Sequence, residues 1–247
     1  MKIVFPEYKN AVVSKAIANY PRIEAIGAEN LAEACEKVRN GEADAMIAGI
    51  DYSSRDVILA CRDGLGMSGK TFSSCVVLRK ENRKYVLADI ATCKHPNEEQ
   101  LFDIICQTYE TAKRVLDEEP KIAVLSFSTL GSGGKDETME TAKNVISRVR
   151  TERPEIIIDG EMQLDAAANL EVGKKKAPNS QVAGRANVLI CPDINSGNIL
   201  YKAMEQFGGF SAAGPILQGF DYPASDLSRG STVEDVVETI AVVEKLI

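Results

Sequence analysis

Short apolar runs alternate with stretches of helical periodicity along almost the whole chain. The runs predict strands over residues 3–5, 45–48, 74–78, 85–88, 122–126, 156–159, 188–191 and 214–217. Helices are predicted over 11–18, 31–40, 56–64, 98–117, 138–150, 195–207 and 232–246. Strand followed by helix, repeated, builds a mostly parallel sheet covered on both faces. One place breaks the rhythm. The strands at 74–78 and 85–88 are separated by a polar turn at 80–83, which reads as an antiparallel hairpin. The expected fold is therefore α/β with a mixed sheet.

Long linkers and repeats are absent. The polar stretch Leu65-Gly66-Met67-Ser68-Gly69-Lys70 is the best candidate for a crossing between domains, with a second near Phe207-Gly208-Gly209. This predicts residues 1–66 plus 208–247 as one domain and 67–207 as an inserted second domain.

Composition narrows the function. The chain has 247 residues, 45% of them hydrophobic and 26% charged, as in an ordinary globular protein with a sizeable core. A net charge of −7 argues against a nucleic-acid partner, which needs a basic face. It leaves anionic ligands open, because local cations and helix N-termini bind phosphate even in an acidic protein. Six cysteines without C-x-x-C spacing read as free thiols in a reducing, cytoplasmic compartment. His95 is the single histidine, in a polar turn, so neither a zinc site nor a Ser-His-Asp hydrolase is expected. Met1–Pro6 reads as a first strand and not as a signal peptide, and no apolar run is long enough to span a membrane.

Five constellations could carry chemistry. Ser126–Lys135 contains Ser128, Thr129, Gly131 and Ser132 between a strand and a helix. Its glycines and hydroxyls suit an anion, or simply a flexible turn; Walker spacing is missing. Asp226–Asp235 holds Ser228, Arg229 and Asp235 around a helix start. Ser231 and Glu234 have capping-box spacing there. Ser228, Arg229 and Asp235 suit removal of a proton from a thiol, or form an ordinary capped helix with an incidental arginine. Asp159, Glu161 and Asp165 end a strand and either stabilise a loop or bind a cation. Asn195, Ser196 and Asn198 either cap the next helix or donate to a ligand. Ser53, Ser54 and Arg55 again place hydroxyls and one cation at a helix start, as an anion pocket or an N-cap.

Taken together, these segments resemble phosphotransacetylase, the phosphate acetyl/butyryltransferase family. The resemblance rests on Leu125-Ser126-Phe127-Ser128-Thr129, Ile158–Ala167, Lys176-Ala177-Pro178 and Val182–Ile190. It continues through Pro192–Ile199, Gly214–Gly219 and Asp226-Leu227-Ser228-Arg229-Gly230, all in the family's order, and is specific from about Leu87 onward. It implies a two-domain fold like that of isocitrate and isopropylmalate dehydrogenases, with the site in the cleft between domains and chains paired as a homodimer. It implies reversible transfer of a short acyl group between coenzyme A and inorganic phosphate. By position, Ser228 resembles the active-site serine, Arg229 the arginine that binds the carbonyl or phosphate, and Asp235 the base for the coenzyme A thiol. Ser53, Ser54, Arg55, Ser128, Thr129, Gly131, Ser132, Asn195 and Asn198 are the candidate substrate-binding residues. Coenzyme A enters as a substrate; no tightly bound cofactor, metal or covalent enzyme intermediate is implied.

The chain also departs from the family's pattern. Its N-terminal portion is shorter, lacking strand-helix units that bring an arginine to the phosphate site. Leu59 and Gln206 stand where the family carries arginines, with Arg55, Arg62 and Lys202 as the nearby cations. Arg185 and Ser231 replace a frequent lysine and cysteine. A missing transition-state contact costs roughly 3 kcal/mol, about a hundredfold in rate. The alternative reading is thus a catalytically impaired, regulatory binder of coenzyme A or acyl phosphate. A dehydrogenase-like relative is disfavoured, since no G-x-G-x-x-G follows a strand.

Overall fold

A computed structural model describes residues 1–247. The chain runs β1 (Lys2–Phe5), α1 (Ala11–Asn19), β2 (Glu24–Gly27), α2 (Leu31–Arg39), β3 (Ala45–Ala48), α3 (Ser54–Gly64), β4 (Ser73–Lys80) and β5 (Arg83–Ala88). It continues with α4 (Glu98–Val115), β6 (Lys121–Leu125), α5 (Glu137–Glu152), β7 (Ile157–Met162), α6 (Leu164–Ala168), α7 (Leu170–Lys176) and β8 (Val188–Ile190). The last elements are α8 (Ile194–Gln206), β9 (Ser211–Gln218), β10 (Ala224–Asp226) and α9 (Val233–Leu246).

All ten strands join one sheet, ordered β2-β1-β3-β10-β9-β4-β5-β8-β6-β7. Pairing is parallel toward both ends and antiparallel in the middle, at β10–β9, β9–β4 and β4–β5. The expected mixed, mostly parallel sheet is therefore present, and the hairpin pairs Lys80 with Arg83 across Glu81-Asn82. The middle reversals have a consequence for the site. The carboxyl ends of β1, β2, β3 and β10 leave one edge of the sheet, and those of β5, β6, β7 and β8 leave the other.

Side chains alternate across the sheet, as the strand period requires. Ile3 and Phe5 join a large apolar cluster with α1, α4, α5 and α9, whereas Val4 packs toward α2 and α3. Val76 and Leu78 face a separate cluster with α6 and α8. The seam between these last two clusters crosses β9, because Ala212 belongs to one and Leu217 to the other.

Helix α8 docks through backbone. Asp193 caps it by accepting the Ser196 N–H at 2.9 Å, and Asn198 Nδ2 donates to the Ile90 carbonyl at 3.2 Å. The capping expected of Asn195, Ser196 and Asn198 thus falls to Asp193, the last extended residue, whose oxygen alone reaches the free N–H groups of the first turn. A methyl group added at Gly197 would lie 2.0 Å from the Asp89 carbonyl oxygen. Asp89 is itself fixed, accepting from the Ser74, Ala91 and Cys93 N–H groups. Gly197→Ala is therefore expected to cost about 3 kcal/mol, a fall in Tm of roughly 6–12 °C for a chain of this size. An unchanged thermal melt would contradict this docking.

Candidate active site

Strand β10 is a short wedge between β3 and β9, and Leu227 N–H extends its pairing to the Ala48 carbonyl at 2.5 Å. The chain then turns sharply, with Ser231 N–H donating to the Ser228 carbonyl at 2.9 Å. This turn uses up Ser231. The capping box consequently falls one residue later than its sequence spacing suggested, on Thr232 and Asp235 in place of Ser231 and Glu234. Asp235 Oδ2 accepts from the Thr232 N–H at 2.8 Å and from its hydroxyl at 2.9 Å. The carboxylate is held at the positive end of α9, and its Oδ1 has no protein partner.

Ser228 and Asp235 face one cleft of about 140 Å³, floored by Val76, Ala212, Gly214 and Pro215 on the seam between clusters. The opposite wall is the second half of α8, with Tyr201, Lys202, Glu205 and Gln206. Lys202 Nζ lies 3.1 Å from Glu205 Oε2 and 4.5 Å from the centre of the Tyr201 ring. Partial burial opposes the ammonium, but Tyr201 and Glu205 outweigh it and hold its pKa above the usual lysine value. Arg229 is exposed, outside the cleft lining, and makes no hydrogen bond or ion pair.

The start of α3 adjoins the same edge. Ser53 caps α3, donating to Asp56 Oδ2 at 2.6 Å and accepting the Asp56 N–H at 3.2 Å. Ser54 and Arg55 are exposed. Below them sit two buried carboxylates that sequence reasoning did not single out as a pair. Glu7 accepts the N–H groups of Gly49, Asp51 and Tyr52 at 2.9, 2.6 and 3.2 Å. Burial raises its pKa against those bonds. Asp226 is 1% exposed, and its Oδ1 has no partner. Burial pushes its pKa up to about 6, with Ser54 opposing and Glu7 adding. A Cβ at Gly49, where φ is +120°, would meet Asp226 Oδ1 at 2.5 Å, so only glycine fits between the two acids.

The remaining candidates gather at the opposite sheet edge. Ser128 Oγ donates to Glu161 Oε1 at 2.9 Å and accepts the Gly133 N–H at 2.8 Å. Gly131 N–H also reaches Glu161 Oε1, at 2.6 Å, and Ser132 Oγ accepts the Thr129 N–H at 3.0 Å. Glu161 thus organises the glycine-rich loop from within. Asp159 pairs with Arg150 at 2.9 Å and Asp165 with Lys176 at 2.8 Å. Asn195 is exposed in the first turn of α8. A second cavity, about 570 Å³, opens at this edge between Ser126, Asp193 and the starts of α4 and α5. The structure therefore brings Ser228 and Asp235 together, with the start of α3 nearby. It sets Ser128, Thr129, Gly131, Ser132, Asn195 and Asn198 apart from them.

Lys202 and Tyr201 are joined to Ser228 only by tertiary packing. The sequence marks Lys202 as a cation near Gln206 but not Tyr201 or Glu205, and the signal for those two is that they stand one helical turn apart on either side of Lys202.

Comparison with known proteins defines the family. The phosphate acetyl/butaryl transferase family model matches residues 2–243. A phosphate acetyltransferase of Treponema pallidum is 39% identical over 86% of this chain and 70% of its own length. One from Clostridium acetobutylicum is 40% identical over 83% of this chain and 64% of its own. The crystal structure of a phosphotransacetylase from Streptococcus pyogenes superposes with a TM-score of 0.90 at 30% identity, covering 100% of this chain and 93% of that one. The chain belongs to the phosphate acetyl/butaryl transferase family. It spans roughly two thirds of the length of the two curated relatives.

Proposed function

We propose that this chain is an acyltransferase that moves a short acyl group reversibly between coenzyme A and inorganic phosphate. The observation that carries this reading is the shared cleft of Ser228 and Asp235 at the start of α9, inside a family match that spans almost the whole chain. In the direction of acyl phosphate consumption, the Asp235 carboxylate takes the thiol proton as sulfur attacks the acyl carbon. The carbonyl π electrons move to oxygen, where the Ser228 hydroxyl and the α9 N-terminus offer donors, and Arg229 turns in from outside the cleft to add its own. Collapse of that oxyanion forms the thioester and expels phosphate, with no bond to the enzyme. The binding-only alternative is disfavoured by relatives that carry the transferase name at about 40% identity.

Several finer features belong to the same proposal. The strands of residues 1–66 and 208–247 occupy one end of the sheet and those of 67–207 the other. This distribution supports two domains of the isocitrate/isopropylmalate dehydrogenase type. Ser53, Ser54 and Arg55, at the adjoining start of α3, contact substrate from outside the cleft. Ser128, Thr129, Gly131, Ser132, Asn195 and Asn198 contact substrate only from the far edge. Phe127, Leu130, Leu164, Leu170 and Ile199 are exposed, which supports a homodimer. Coenzyme A is a substrate, and no resident cofactor or metal takes part. The expected location is the cytoplasm; no helix is long and apolar enough to cross a membrane.

The test is release of free thiol from acetyl-, propionyl- and butyryl-CoA, with and without phosphate. The expected result is phosphate-dependent release from at least one of them. No release from any would end the proposal.

A further inference from the structure

The cleft poses an electrostatic problem. Two of its lining residues, Glu205 and Asp235, are acids, and the substrate that must enter is phosphate or an acyl phosphate. An anion moved from water into a recess walled by carboxylates is repelled unless a cation meets it. Arg229 and Arg55 are exposed and do not line the cleft. Among the lining residues, Lys202 is the single cation, and Gln206, one turn further along α8, is neutral.

Lys202 is also prepared for that task. Its ammonium rests 3.1 Å from Glu205 Oε2 and over the Tyr201 ring at 4.5 Å. Both contacts are local to α8, three residues away and adjacent in sequence, so neither ties the ammonium to the body of the protein. It can reach an arriving anion without breaking a tertiary contact, and its three N–H donors match phosphate oxygens.

Resting on the transferase reading of this cleft, we propose that Lys202 is a catalytic residue. It binds the phosphate, and in the reverse direction the phosphoryl group of the acyl phosphate, with Glu205 as its counter-ion when the cleft is empty. As the acyl–oxygen bond breaks, the leaving phosphate gains charge, and the ammonium stabilises it.

Two measurements test this on the intact chain. The first is steady-state thiol release by wild type, Lys202→Gln and Lys202→Arg, with phosphate and acyl-CoA varied separately. Loss of one charge-assisted contact is expected to raise the KM for phosphate about 10- to 100-fold in Lys202→Gln, leave that for acyl-CoA within about twofold, and be partly restored in Lys202→Arg. An unchanged phosphate KM, or an equal rise in both, would overturn the proposal, because general damage to the cleft would not select one substrate.

The second is calorimetric titration with inorganic phosphate alone, which needs no turnover. Wild-type binding that Lys202→Gln loses supports the anion site even if no acyl-CoA is consumed, in which case the transferase reading and the catalytic role fail together and phosphate binding by Lys202 stands. Equal binding by both proteins, or none by wild type, overturns it. Matching thermal melts show that the variants are folded.

Discussion

Asp235→Asn is expected to lower kcat about a thousandfold while leaving the chain folded. A positioned general base contributes roughly 10²- to 10⁴-fold, and the amide that replaces it accepts no proton at neutral pH. The same side chain closes the capping box with Thr232. Asparagine keeps an oxygen for the Thr232 donors and loses only the charge at the helix start, about 0.5–1 kcal/mol. Activity and stability therefore separate. Alkaline pH supplies thiolate without a base, so the deficit should shrink between about pH 7 and pH 9, where a free thiol ionises. Rates of acetyl phosphate consumption by coenzyme A across that range check both points. A variant within about tenfold of wild type at pH 7 would remove Asp235 from the chemistry.

A second large effect is expected at Asp226. Its folded pKa of about 6 lies above the ordinary value of 3.8, chiefly because the carboxyl is buried. The folded protein thus holds this proton more tightly than the unfolded chain does. Stability from the protonated form is fully present below about pH 4 and is lost as pH rises through about 6. That rise corresponds to about 3 kcal/mol. Asp226→Asn keeps the shape and removes the ionisation. It is expected to melt up to roughly 6–12 °C above wild type at pH 8, and close to it at pH 4.5. Parallel melting curves at the two pH values would show that Asp226 is not the group that titrates. Because Asp226 lies two residues before Ser228, an accompanying loss of activity would mark its charge as a cost kept for function.

Much of this architecture was legible in the pattern. Strands with continuous apolar runs, such as Ala45–Ala48, and helices with clear caps, such as α4 behind Asn97, coincide with their expected positions to within a few residues. The misses share a physical origin. Glu24–Gly27 is a half-exposed edge strand whose only neighbour is β1, so it carries no apolar run. Ala224–Asp226 is three residues long, and two are polar; its extended form comes from pairing with β3 and β9. The helices at 164–168 and 170–176 are too short to show a period. In the site, Ser228 and Asp235 were readable because seven residues and a helix start join them. Lys202 was legible only as a cation near Gln206, and Glu7 not at all, because both reach this region from distant segments. The glycine-rich loop carried a strong local signal, yet its donors turn inward to Glu161, which lies in β7 and meets the loop only because β7 pairs with β6.

A crystal structure with coenzyme A and inorganic phosphate bound together tests the assignment of the reaction to the Ser228 cleft most directly. The predicted result places the thiol sulfur about 3–3.5 Å from the Asp235 carboxylate, with phosphate between Ser228 and Lys202. A thiol seated instead in the cavity beside Ser126 and Asp193, at the opposite edge of the sheet, would contradict it.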